Sequence, residues 1–323
     1  MAGQDSGLQV VVGAGPIGSG VARALADLGH RVRVVTRSGS GPASSGIELA
    51  TADASDEAAL TGLTAGAAAI YNCANPAYHR WSELWPPIAK SLLGAAESSG
   101  AVLVTISNLY GYGPAPQSIG QRGYDTGHPM TETTPLAATG KKGMVRAQMW
   151  RDALVAHQAG RVRAVEVRAS DYVGDGANAA LGERVVTPLL RGRAVSVLGR
   201  TDRPHTWSFT EDVVTMAVVA GSDSKAWGSA WHVPSGEPRT QRQAIDDLAR
   251  VAGVKQVPVR TIPRAILYGL GAVSPLMREL RETGYQFSED FVMDSTAARQ
   301  AFGLGPAPWE LVAESALKNA AAR

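Results

Sequence analysis

Gly13-Ala14-Gly15-Pro16-Ile17-Gly18 is the stretch whose residue types and spacing bear most directly on chemistry. Gly13 permits a tight turn, Gly15 lets backbone approach a pyrophosphate, and Gly18 lets a helix pack on a strand. Pro16 and Ile17 would open that helix, whose unpaired N–H groups offer partial positive charge to phosphates. The pattern predicts a dinucleotide site. About twenty residues further on, an NAD site places Asp or Glu for the ribose 2′-hydroxyl. Here the place reads Thr36-Arg37-Ser38. Arg37 can hold a 2′-phosphate through a charge-assisted fork, and the hydroxyls of Thr36 and Ser38 can add bonds. NADP(H) is therefore the expected cofactor, a solvated surface Arg37 being the plainer alternative. Asp53, after a third short strand, has two readings: contact with the adenine, or the cap of a helix beginning near Asp56.

The elements that must position these residues follow from apolar spacing. Leu8 to Val12 reads as a buried strand, Pro16 to Leu28 as a helix closed by Gly29, and Val32 to Val35 as a second strand. Strand, glycine turn, helix and strand in that order give the hexapeptide the context it needs. Strands are predicted at Ala67–Cys73, Ala101–Ile106 and Val162–Val167. Helices are predicted at Pro87–Ser99, with prolines in its first turn, and at Gly143–Ala159. The alternation predicts an α/β fold, a Rossmann doubly wound parallel sheet with ligands at the carboxyl ends of its strands. The second half is less regular. Val185–Leu198, Trp207–Val219 and Ala230–Val233 give mixed signals, and Thr240–Ala252 reads as an amphipathic helix. Pro263–Met277 resembles a lid. The expected organisation is a nucleotide-binding domain over 1–175 and a smaller C-terminal substrate-binding or cap region over 176–323, with elements partly returning to the first.

Composition excludes several classes. Apolar residues make up 45% of 323, ample for a large core. A formal charge of +2 gives no electrostatic reason to expect nucleic acid or an acidic membrane. The single cysteine, Cys73, cannot form an internal disulfide and suits a reducing cytoplasm. No signal peptide precedes the first strand and no apolar run approaches membrane-spanning length. The six histidines, at 30, 79, 128, 157, 205 and 232, lack ligand spacing, so no metal is expected. A cytoplasmic enzyme of small molecules is the expectation.

Two loops follow strand ends. Ala74-Asn75-Pro76-Ala77-Tyr78-His79-Arg80-Trp81 would face the nicotinamide, with Ala74 and Asn75 near the cofactor and Tyr78, His79 and Trp81 toward substrate. Ser107-Asn108-Leu109-Tyr110-Gly111-Tyr112-Gly113-Pro114 is the second, with Tyr110 toward substrate. Both offer hydrogen bonds and flat stacking surface. The plainer reading is that the aromatics only pack.

With these residues in view, the chain resembles the short-chain dehydrogenase/reductase superfamily in its extended form, which includes nucleotide-sugar epimerases and dehydratases. The resemblance rests on the glycine turn, Asp53, the loop after Cys73, Tyr112-Gly113, Arg168-Ala169-Ser170-Asp171, Asp212 and Trp231-His232-Val233-Pro234-Ser235-Gly236. It covers most of the chain. The departures are informative. The family's catalytic Ser or Thr falls on Asn108, four residues before Tyr112. Its Tyr-x-x-x-Lys falls on Lys142-Gly143-Met144-Val145-Arg146. The Arg that holds a diphosphate in sugar-nucleotide enzymes falls on His205, with Arg200 and Arg203 close by.

The resemblance then implies roles. Arg146 would keep the ribose-binding and electrostatic part of the missing lysine, because it stays charged and offers several donors. Lys142 would replace Tyr as proton donor, as relatives resembling isoflavone reductase do with a lysine. Asn108 would donate a hydrogen bond to a substrate carbonyl. Tyr112, Tyr110 and Tyr78 are reserve acids, and Asp171 is a substrate contact. A lysine at a helix N-terminus is electrostatically unfavourable, so an anion, such as a cofactor phosphate or an acidic substrate, is expected beside it. Relatives dimerise through two long helices, which Pro87–Ser99 and Gly143–Ala159 match by order. Three readings stay open. The first is an NADP-dependent reductase of a small-molecule carbonyl, imine or activated alkene. The second is an epimerase or dehydratase recycling a bound cofactor, and the third a non-catalytic dinucleotide sensor.

Overall fold

The computed structural model describes residues 7–114, 128–174, 176, 180–263 and 282–321. Most of the lid-like stretch expected at Pro263–Met277 lies outside them. The chain divides into two compact units. The first comprises residues up to Asn108, Met144–Arg168 and Val213–Val233; the second comprises Leu109–Gly143, Ala169–Asp212 and Pro234 onward.

The first unit is built on a seven-stranded parallel sheet with flanking helices. In chain order its strands are β1 (Leu8–Val12), β2 (Val32–Thr36), β3 (Ile47–Thr51), β4 (Ala67–Asn72), β5 (Val102–Asn108), β6 (Arg163–Ala169) and β10 (Ala230–His232). Their spatial order is β10-β6-β5-β4-β1-β2-β3. Val10, Val11, Val34, Ile70 and Val104 are buried, as central strands of a doubly wound sheet require. The order of chain progression reverses between β4 and β1, and doubly wound sheets take ligands beyond the carboxyl ends of the strands at such a switch point.

The helices that meet this sheet are α1 (Pro16–Asp27), α2 (Glu57–Leu63), α3 (Trp81–Ser99), α4 (Lys141–Gln158) and α6 (Thr210–Ser222). Asp56, not Asp53, caps α2, its Oδ1 accepting from Ala59 N at 3.0 Å. Helix α3 starts six residues before the expected Pro87. Trp81 and Trp85, four apart, are both buried and draw an extra turn onto the core. Pro86 and Pro87 consequently lie inside the helix, on its exposed side, where their missing N–H groups are best tolerated.

The second unit has its own core. Strands β7 (Asp171–Val173) and β9 (Trp207–Phe209) pair in parallel, as do β8 (Val195–Val197) and β11 (Val259–Thr261). Helices α5 (Glu183–Leu190), α7 (Gln241–Val251), α8 (Thr296–Phe302) and α9 (Trp309–Ala321) complete its described elements. Val186, Leu189, Phe209, Ile245, Leu248 and Ala313 form one buried cluster of this unit. Thr240 and Gln243 close a reciprocal capping box on α7, a device worth about 1 kcal/mol. The mixed signals thus resolve: Val185–Leu198 is a helix end plus a strand, and Trp207–Val219 a strand running into a helix. Among the described residues no helix is long and apolar enough to cross a membrane, and no three potential metal ligands cluster.

Candidate functional site

The candidate site of the first unit begins at the glycine turn. Gly13 has φ +100°, and a Cβ there would lie 2.6 Å from the Cys73 carbonyl oxygen. Its own N–H donates to Val35 O at 2.9 Å, and Cys73 N donates to Val12 O at 2.9 Å. Gly18 could carry no Cβ without striking the Gly13 carbonyl. Gly15 is different: nothing lies within 4 Å of where its Cβ would be. It forms the N-cap of the twelve-residue α1, with no side-chain capping bond and no acidic residue in the first turn. A closed turn with one open face at the positive end of a helix fits a pyrophosphate. Pro16 and Ile17 are the first residues of that helix, as expected.

Beside the turn, Asn72 Oδ1 accepts from Ala74 N at 3.3 Å and shapes the start of the next loop. Asn72 was missed by sequence reasoning; a buried polar residue ending an apolar strand was the available signal. Asn75 is exposed. Burial pushes the Cys73 thiol up to about 12, so it is protonated and unreactive near neutrality.

Arg37 and Asp53 follow neighbouring strands whose last residues, Thr36 and Thr51, are in register. The Ser55 hydroxyl and N–H bond to the Asp53 carboxylate and lower its pKa from the ordinary value, with the Arg37 charge adding to the effect. The carboxylate and the guanidinium are thus close enough to feel each other. Thr36 donates to Ser40 O at 2.9 Å, and the Ser38 and Ser40 hydroxyls lie 2.7 Å apart. These hydroxyls build the turn itself.

The loop after β4 is arranged otherwise than expected. His79 is exposed, and Tyr78 meets Trp81 edge-on at 5.1 Å between centroids. Trp81 is buried, donates from Nε1 to Pro76 O at 3.1 Å, and turns its ring toward Arg146. The structure places the Trp81 ring in buried packing beside Arg146. The Arg146 guanidinium lies 4.7 Å from the Trp81 ring centroid and 4.2 Å from that of Trp85. Its Nη1 also donates to Ile106 O at 3.4 Å. Two indole faces hold this 6%-exposed cation, each contributing about 1–2 kcal/mol when desolvated. Trp85, four residues from Trp81, belongs to this arrangement and was not anticipated.

One turn before Arg146 on the same helix, Lys142 sits in the second unit with its side chain 3% exposed. Its Nζ lies 3.4 Å from Glu282 Oε2, and its backbone N–H donates to Glu282 Oε1 at 2.7 Å. The anion expected at this helix start is therefore an internal carboxylate, which satisfies an orphan N–H and the ammonium together. Glu282 comes from a distant part of the chain, so spacing gave no hint of it. Glu282 also lines a cavity of about 260 Å³, together with Tyr110, Gly113, Thr139, Thr283 and Tyr285. Of the reserve tyrosines, Tyr110 reaches this cavity. Tyr112 is fully buried in a cluster with Leu109, Met130 and Phe291, which places it in packing rather than at the wall. Asn108 ends β5 and is half-buried.

Asp171 begins β7, and its Oδ2 lies 3.0 Å from His205 Nε2. His205 Nδ1 lies 3.1 Å from Gln286 O. The ring is 2% exposed and enclosed by Trp207, Phe287 and Phe291. Asp171, expected as a substrate contact, is engaged by this histidine. Both imidazole nitrogens are occupied, so His205 cannot substitute for a phosphate-binding arginine. Arg200 pairs with Asp202 and Arg203 with Asp290.

The NAD dependent epimerase/dehydratase family model matches residues 9–231, spanning the glycine turn, the loops after β4 and β5, α4 and β10. The chain belongs to this family. The fold of the NAD dependent epimerase/dehydratase family is also that of several solved structures. UDP-glucose 4-epimerase from Thermotoga maritima, solved with UDP-glucose, is 17% identical, with a TM-score of 0.76 over 97% of this chain and 98% of that one. A dTDP-glucose 4,6-dehydratase from Streptomyces venezuelae, solved with NAD, is 18% identical, with a TM-score of 0.75 over 97% and 96%. The corresponding dehydratase from Bacillus anthracis, in complex with NAD, is 14% identical, with a TM-score of 0.77 over 98% and 97%. No curated protein sequence matches the chain. At these identities the likeness is one of fold. At the start of α4 this chain carries Lys142 and Arg146, with a carboxylate on one and two indoles on the other.

Proposed function

We propose that this chain is a dinucleotide-dependent epimerase or dehydratase acting at a hydroxyl-bearing carbon of a small molecule, with Lys142 as the group that moves the hydroxyl proton. The observation that carries the reading is the buried ammonium of Lys142 at the start of α4, in the position where the family resemblance expects an acid/base tyrosine. A dinucleotide held by the Gly13–Gly18 turn, with Arg37 or Asp53 toward its adenosine ribose, would supply hydride acceptance and return. Lys142 exchanges the proton at the substrate oxygen through Nζ. Asn108 donates a side-chain N–H to that oxygen and stabilises charge developing there. Arg146 keeps a fixed positive charge one helical turn beyond. Family membership supports recycling of the cofactor over its net consumption.

The second reading, an NADP-dependent reductase, is favoured by one observation: the positive side chain of Arg37 after β2. A single assay separates the two. The protein is incubated with NAD or NADP and a panel of free and nucleotide-linked sugars, following products by mass spectrometry and the nicotinamide by absorbance. Product with no net change in nicotinamide redox state is expected. Stoichiometric loss of NADPH with product would establish the reductase, and dinucleotide binding with no product across the panel would favour a sensor.

A further inference from the structure

Lys142 contributes a buried charge, and its partner Glu282 lines the cavity. The Glu282 side chain is 24% exposed, and both its oxygens are engaged on the α4 side. One accepts the Lys142 backbone N–H; the other faces Nζ. The approach depends on Gly140, because a Cβ there would lie 2.6 Å from Glu282 Oε1. Bare backbone at Gly140, the Lys142 backbone N–H at the helix start and its ammonium thus converge on one carboxylate. A buried ammonium needs such a countercharge, and a surface-only role would not require the glycine clearance. Tyr110, Thr139, Thr283 and Tyr285 line the same cavity as Glu282.

We propose that Glu282 is the positioning residue of Lys142 and its proton-storing partner. The inference rests on the reading of Lys142 as the proton-transfer group. When the substrate hydroxyl gives its proton to Nζ, Nζ gives one of its own to Glu282 Oε2. The O–H bond of the substrate and one N–H bond break; a new N–H and a carboxyl O–H form. On the return step the same protons move back, so the pair ends as it began, and no oxidant or outside acid is required. Lys142 alone, already carrying its full complement of protons, has no lone pair with which to accept another.

The test has two arms. The first needs no substrate: a correlated proton–nitrogen spectrum of the lysine ammonium groups in protein labelled at lysine Nζ. Only six lysines occur in the sequence, and the Lys142 signal is assigned by its loss in Lys142→Arg. The signal is expected in the wild type, because a carboxylate holds the ammonium out of solvent. In Glu282→Gln its exchange with solvent should quicken at least about tenfold, which erases it. Gly140→Ala should do the same while leaving every charge in the sequence intact, and it serves if Glu282→Gln fails to fold. An unchanged Lys142 signal in both variants overturns the pairing. The second arm uses the substrate found above. Glu282→Gln should lose about 10²-fold in kcat with KM within about twofold, and Glu282→Asp should recover most of it. Full kcat in Glu282→Gln overturns the proton-storing role. The first arm stands whether or not the protein turns over that panel, so failure of the pairing is distinguishable from failure of the proposed activity.

Discussion

Lys142 and Arg146 differ from their partners in how far residue type alone announces them. Lys142 and Arg146 were visible as a Lys-x-x-x-Arg at the expected place, and their helix was legible from its apolar positions. Their partners were not. Glu282 lies 140 residues beyond Lys142, and Trp81 and Trp85 precede Arg146 by more than sixty, so only folding brings them together. A tryptophan pair four apart reads equally as core or as a stacking wall, and burial decides for the core. At this scale the Lys142 reading makes a direct prediction. Lys142→Ala should lower kcat by about 10²–10⁴ while leaving dinucleotide affinity within about twofold, measured by nicotinamide fluorescence and product formation. Retained turnover would move the proton to Tyr110, the tyrosine that reaches the cavity. Arg37 makes a second prediction. If it holds a 2′-phosphate, Arg37→Glu should weaken NADPH about tenfold or more beyond any loss for NADH, since a repelling carboxylate replaces a charge-assisted fork. Equal losses would leave Asp53 as the ribose contact and NAD as the better partner.

At the scale of elements, periodicity served best where a strand is buried on both faces. Leu8–Val12 is both the expected and the observed β1, a short apolar run buried from Gln9 onward and bounded by the glycine turn. It served worst at short segments of the second unit, where three-residue strands such as Val195–Val197 carry too few positions to show a period. Helix α6 illustrates what pattern alone hides. Asp212 stands in its first turn, where a carboxylate is ordinarily favoured. Burial nevertheless pushes it up to about 6, with the nearby Glu211 charge adding and the Ala307 N–H opposing. Asp212 Oδ2 accepts from that N–H at 3.0 Å and ties the segment before α9 to the start of α6. A folded-state value above the unfolded one means that the folded chain binds the extra proton. The resulting stability is fully present below about pH 4 and lost as pH rises through about 6. Asp212→Asn keeps an acceptor for Ala307 and cannot ionise. Thermal unfolding of the wild type should therefore fall relative to this variant between about pH 4 and 7, then run parallel to it. Parallel curves across the whole range would assign Asp212 no desolvation cost.

For the whole molecule, the sheet was legible in the sequence. A parallel doubly wound order follows from alternating strands and helices, each short enough to read by itself. The assignment of 109–143 to one unit and 213–233 to the other depends on which core each segment joins, and linear spacing carries no such information. That partition makes the location of the dinucleotide testable without knowing the substrate. The turn at Gly13–Gly18, the Cys73–Asn75 segment and the ends of β2 and β3 all belong to the first unit. The cluster of Val186, Leu189, Ile245 and Leu248 belongs to the second. A ligand that binds only the folded state at a hundred times its Kd contributes about 2.7 kcal/mol, and local openings at its site are suppressed by up to the same amount. Hydrogen exchange with and without saturating NADP or NAD should accordingly show slowing by up to about a hundredfold in peptides covering residues 13–18, 37–40 and 72–75. Peptides covering α5 and α7 should exchange as before. Protection confined to the second unit, with the glycine turn unaffected, would mean that Gly15 faces no phosphate and that the fold has been turned to another ligand. A Gly15→Leu variant makes the outcome specific. Its side chain enters the open space at the N-terminus of α1, so the protection should vanish while the unliganded exchange of β1 and β4 stays as it was.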